Sequence, residues 1–104
     1  MLSKVVIVGS VLEAPRRLNE TTIVFQVISK TGDHAPRPIV FHVSASDVLA
    51  KEFMDLKRGN NVLIDASFKT TPQGNPLLHH YPDGQAYALF DVIAEKITKV
   101  KTPT

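Results

Sequence analysis

Tyr81 sits in the run Leu77-Leu78-His79-His80-Tyr81-Pro82-Asp83-Gly84, a polar, turn-rich stretch with no core pattern around it. An aromatic face in such a place can stack on a nucleic-acid base, an interaction worth about 1–3 kcal/mol per base. The plainer reading is that Tyr81 packs on Leu77 and Leu78 and holds the stretch together. Tyr87, His80 and Phe41 are the further stacking candidates, although Phe41, between Val40 and His42, fits a core position as well as an outer one. Stacking needs cations beside it to hold phosphates. Lys4, Arg16, Arg17, Lys30, Arg37 and Lys69 are the cations placed to do so. Singly, each is an ordinary solvated charge; what distinguishes them is where they fall relative to the strands described next.

Other chemistries find no footing. Of the four histidines, His79 and His80 are adjacent and His34 and His42 are remote, so no HxxxH or HExxH spacing places two imidazoles on one metal. Gly9, Gly32, Gly59, Gly74 and Gly84 are scattered and make no phosphate-cradling loop. His42, Ser44, Ser46 and Asp47 have the residue types of a nucleophilic triad. Neighbours so close in sequence alternate between faces or cap a helix, and do not converge. With no cysteine, disulfides, thiol nucleophiles and zinc knuckles are excluded. The expectation is a protein with no enzymatic activity, no cofactor and no metal.

The elements that must position these residues read mainly as strands. Lys4 to Leu12 is rich in β-branched residues, with Gly9 suggesting a bend or bulge and Pro15 an end. Thr22 to Ser29 puts Ile23, Phe25 and Val27 on one face and Thr22, Val24, Gln26 and Ile28 on the other. Ile39 to Ser44 is a third strand. The period then changes: Leu49, Phe53 and Leu56 share a helical face, Ser46 can cap its start, and Gly59 can close it after about three turns. Asn61 to Thr70 returns to alternation, with Val62, Ile64, Ala66 and Phe68 inward. A long polar stretch with two Pro-x-Gly turn signals leads to a last strand, Tyr87 to Val100. Five strands with one short helix between the third and fourth is the order of an OB-fold, an all-β, five-stranded Greek-key barrel. One such domain occupies residues 1–100, with a short tail at 101–104. In that barrel the binding groove crosses the second and third strands between two loops. Arg16 and Arg17 fall in one loop, Lys69 opens the other, and Lys30 and Arg37 flank the hairpin between.

At this point the chain resembles the bacterial single-stranded DNA-binding protein family. Lys4-Val5-Val6-Ile7-Val8-Gly9-Ser10-Val11-Leu12 is similar to that family's first strand. Pro15 followed by Arg16 and Arg17, then Ile23-Val24-Phe25, keep its order. Leu56-Lys57-Arg58-Gly59 before Asn61-Val62-Leu63-Ile64 resembles its basic-basic-Gly turn and following strand. Tyr81 to Tyr87 resembles its glycine turn ahead of the last strand. The likeness spans roughly residues 3 to 97. Departures stand beside it. The chain has no tryptophan, Thr71 to His80 looks inserted, and Lys101-Thr102-Pro103-Thr104 stands where the family carries an acidic tail.

The resemblance implies a sequence-nonspecific single-stranded DNA-binding protein, acting in DNA replication, recombination or repair. It implies a homo-oligomer, dimer or tetramer, and contacts with replication proteins. The same stacking and phosphate contacts would serve RNA, because nothing here reads a 2′-hydroxyl. The departures point to a divergent member. The alternative is a module similar to primosomal replication protein N, sharing the fold but binding single strands weakly or not at all. A net charge of +2 permits nucleic-acid binding without demanding it. No run approaches the roughly 20 apolar residues of a membrane span. The opening Met1-Leu2-Ser3-Lys4 does not read as a signal peptide. The expectation is cytoplasmic, nucleoid-associated or, for a plastid version, organellar.

Overall fold

The first strand is longer than its sequence signals. The computed structural model describes residues 4–29, 39–70, 72–73, 78–80 and 88–100. In it β1 runs from Lys4 to Arg17, straight through Pro15. Proline is tolerated because it lies in an irregular stretch: Glu13 pairs with Gln26 and Arg16 with Val24, so Ala14 and Pro15 together oppose Phe25. The extra residue removes the need for a ladder donor at that point.

Then follow β2 (Thr22–Ser29), β3 (Ile39–Ser46), α1 (Val48–Phe53), β4 (Asn61–Phe68), β5 (Leu78–His80) and β6 (Ala88–Val100). Residues 4–10 of β1 pair with β4 and residues 9–17 with β2, so one strand serves both halves of the sheet. β2 pairs with β3, and β4 with β6, all antiparallel. A parallel pairing of 39–44 with 88–93 joins β3 to β6 and closes a five-strand barrel. The closed barrel and the one short helix among the described residues match the expected architecture. β5 is an addition: it pairs with 88–90 of β6 and forms the stem of a hairpin within the long polar stretch.

Alternation decides the interior. Ile23, Phe25 and Val27 of β2, Phe41, Val43 and Ala45 of β3, and Val62, Ile64 and Ala66 of β4 are all buried in one cluster. Fully burying a Val, Ile or Phe side chain contributes about 1.5–3 kcal/mol. The expected inward set on β4 is therefore observed, with Phe68 partly buried against the cluster.

The helix is shorter than the expected three turns. Asp47, not Ser46, precedes it, with φ at 56° and no side-chain cap. Ser46 instead completes the strand pair with Thr22, their hydroxyls 3.0 Å apart. Leu49 and Phe53 still pack on the core, and Leu56 is buried just beyond the helix. Gly59 is left-handed, at φ 92°, but closes the turn after Leu56 and not the helix. Its N–H donates to the Val11 carbonyl (2.8 Å), and the Val11 N–H donates to the Asn60 carbonyl (2.8 Å). That turn therefore clamps β1 close to where it passes from β4 to β2.

Candidate nucleic-acid interface

The barrel's interior parity fixes what β2, β3 and β6 show outside. Cross-strand register aligns Arg16, Val24, Ser44 and Ile93 in one row, and Glu13, Gln26, His42 and Asp91 in the next. Val24 is buried although it belongs to the outer parity; Gln26 and His42 are half-buried and Ile93 is 46% exposed. At the centre His42 Nδ1 lies 3.0 Å from Asp91 Oδ1. The Lys69 N–H donates to the Asp91 carbonyl at 2.9 Å, which brings the start of the loop after β4 beside this row. The outer wall is thus mixed: a cation at each side, an exposed aliphatic, an amide and a carboxylate-held imidazole.

The candidate residues divide on this frame. Arg16 is exposed on the outer wall, and Lys69 flanks it. Both arginines belong to β1 and not to a loop. Arg17 departs from Arg16: its guanidinium donates to the Glu20 carbonyl (3.3 Å), and it lines a cleft with Asp47 and Lys51 beside α1. Lys4 pairs with Glu95 at 3.0 Å on the β1–β4 side, separated from β3 by β4 and β6. Phe41 is corrected to a core residue. It is 6% exposed and its ring lies 6.1 Å from that of Phe90, its partner across the parallel pair. Phe90 in turn meets Phe68 edge-on at 5.5 Å. His80 belongs to β5, its backbone registered with Ala88. Lys30, Arg37, Tyr81 and Tyr87 lie outside the described residues.

The sequence reading does not single out Gln26, Asp91 or Ile93 as site residues, and treats His42 only as one of four histidines and of a triad that does not converge. A signal existed: Asp91 interrupts the apolar run Ala88 to Ile93 at the parity opposite Phe90 and Val92.

Glu95 is the carboxylate that the Lys4 ammonium faces. The Ser67 hydroxyl and then the Lys4 ammonium hold its carboxyl below the usual carboxylate range. A lowered folded value contributes stability above the unfolded value of about 4.5, lost as pH falls through the folded one. The Ser67→Ala variant should therefore lose less stability than the parent between about pH 5 and about pH 3. Thermal melts at both pH values read this; equal losses in the two proteins would remove Ser67 from the account.

No family model matches this chain, and no curated protein matches its sequence. Solved structures do match. A small single-stranded DNA-binding protein from Streptomyces coelicolor superposes with a TM-score of 0.69 at 20% identity, covering 93% of each chain. The fold is an OB barrel. The mitochondrial single-stranded DNA-binding protein of S. cerevisiae matches the OB barrel at 0.67 and 13% identity over 99% of each chain. The single-stranded DNA-binding domain of a Synechococcus protein matches it at 0.58 and 13%, over 93% of this chain and 94% of its own. Among the described residues no helix is long and apolar enough to cross a membrane.

Proposed function

We propose that the OB barrel binds single-stranded DNA without sequence preference, in replication, recombination or repair, and performs no catalysis. The observation that carries this is the outer wall of β2, β3 and β6, where Arg16 and Lys69 flank half-open polar groups and an exposed Ile93. Phosphates are held by Arg16, Lys69, Lys30 and Arg37. Bases stack on Tyr81, with His80 and Tyr87 as further stacking residues. The likeness to proteins that bind single-stranded DNA supports the same reading.

The test is a fluorescence-anisotropy titration of labelled oligo-dT, with duplex DNA and oligo-rU as competitors. Binding that duplex cannot displace supports the proposal, and displacement by oligo-rU would widen it to RNA. Tyr81→Ala should weaken binding about tenfold if that ring stacks on a base.

A second reading has its own observation. None of the described aromatic side chains is exposed, whereas Val6 and Val8 are 63% and 62% exposed. That pattern favours a protein-contact module, and absence of oligo-dT binding even at low salt would select it. Val6 and Val8 also bear on assembly. Pairing of β1 with β2 begins only at Gly9, leaving the other edge of residues 4–8 without a partner among the described residues. An open edge with apolar side chains invites pairing with another chain. The OB barrel is therefore proposed to form a homo-oligomer through β1, and light scattering that returns the monomer mass would exclude it.

A further inference from the structure

His42 occupies the middle of the outer wall, with side-chain exposures of 32% for itself and 14% for Asp91. With Asp91 ionised, its carboxylate accepts the Nδ1 hydrogen and sets the ring's orientation. Nε2 is left on the opposite edge of the ring. It has no partner among the described residues, and the side chain is partly exposed. The inward neighbours Phe41 and Val43 belong to the core, while the His42 ring lies on the outer parity.

We propose that His42 is a phosphate-contact residue that engages the strand through Nε2 in its imidazolium form, with Asp91 as the positioning residue. The proposal rests on the single-strand reading above. A neutral ring with its hydrogen on Nδ1 turns a lone pair toward a phosphate oxygen and repels it. The protonated ring donates a charge-assisted hydrogen bond at the same place. The contact is therefore made by the charged ring, and imidazole as a class of side chain changes charge between about pH 5 and 8.

The charged surroundings are mixed. On β6 the ring faces Asp91. On β2 it faces Gln26, with Glu13 and Arg16 of β1 beyond. Lys69 approaches through its backbone, and His79 and His80 lie on β5, registered with Leu89 and Ala88. α1, against β3, carries Lys51 and Glu52. Arg16 and Lys69 set two positive charges in these surroundings against those of Glu13 and Asp91, and a protonated ring tips the sum toward an anion.

The test uses the full chain, H42Q and D91N with labelled oligo-dT at about pH 6 and about pH 8. The parent should bind about tenfold more tightly at the lower pH, the size of one charged hydrogen bond. Its log–log salt slope should steepen there by about 0.7, one phosphate's worth. H42Q should lose most of both changes, with the remainder supplied by the other three of the four histidines. D91N should shrink the pH-dependent part of binding, whereas a purely structural partner would weaken binding equally at every pH. Circular dichroism checks that the variants fold. Independently of any variant, the ring nitrogen resonances of His42 in the parent should shift when oligo-dT is added. An unchanged pH response and slope in H42Q, or ring resonances that stay put, would overturn the proposal alone. Failure of the parent to bind at either pH would overturn it together with the single-strand reading.

Discussion

Raising salt from about 50 to about 200 mM at neutral pH should weaken oligo-dT binding about 50-fold. Each phosphate neutralised on a single strand releases condensed counterions and contributes about −0.7 to the slope of log K against log salt. Four cations are assigned to phosphates: Arg16 and Lys69 on the described wall, and Lys30 and Arg37 in the segment between β2 and β3. Together they give a slope near −2.8, which over a fourfold change in salt is about 50-fold. Arg17 and Lys4 are left out on structural grounds. The Arg17 guanidinium is engaged by the Glu20 carbonyl, and the Lys4 ammonium by Glu95. Arg16→Ala should flatten the slope by about 0.7, and Arg17→Ala should leave it nearly unchanged. A slope near zero in the parent would remove phosphate contacts from the mechanism. Equal flattening by the two alanine variants would show that the strand also runs past the cleft beside α1.

Gly9→Ala should destabilise the barrel by about 3 kcal/mol, toward the upper end of what overpacking costs. A Cβ built at Gly9 lies 2.2 Å from the Ile28 carbonyl oxygen and 2.9 Å from its carbon. The obstacle is backbone, which cannot swing aside as a side-chain tip would. Gly9 is also bound from both sides, paired with Ser29 on β2 and with Val62 on β4. Relieving the clash would part β1 from one of them. Against a total of about 5–15 kcal/mol for a domain, such a loss is a large fraction. Urea unfolding reads it as a lower midpoint at constant slope. A change below about 1 kcal/mol would mean that the two backbones separate at little cost, and that β1 is held less tightly at its crossing than the register implies.

The barrel was legible because alternation is a local property. The span Thr22 to Ser29 was read to the residue, and the inward set of β4 follows from the same rule. What escaped depends on partners far away in the chain. Proline at 15 is a breaker on its own, yet it is harmless where two residues of β1 oppose Phe25 alone. Ser46 has the chemistry of a helix cap, but Thr22 of β2 claims its hydroxyl and Asp47 turns the chain instead. The site was legible only in part for the same reason. Arg16 could be placed near the groove from its position after the first strand. The separation of Arg17 from it depends on which way each side chain leaves an irregular strand. Phe41 could have served as core or platform until the parallel pairing with Phe90 put it inside. The pairing of His42 with Asp91 joins residues 49 apart and exists only once β3 and β6 are neighbours.

Closure by the parallel pair 39–44 with 88–93 also sets an order of events during synthesis. The meander of β1, β2 and β3 can form from contiguous chain. The partner that seals β3 is translated more than forty residues later, which at about 5–20 residues per second is a delay of a few seconds. Until then the nascent half-barrel has two raw margins, β3 on one side and the amino-terminal part of β1 on the other. Such margins attract other chains, so crowding of nascent copies on one message is the circumstance in which this small barrel is most exposed to misassembly. Once β6 arrives, the distant pairing places folding in the slow range typical of β-barrels, milliseconds to seconds.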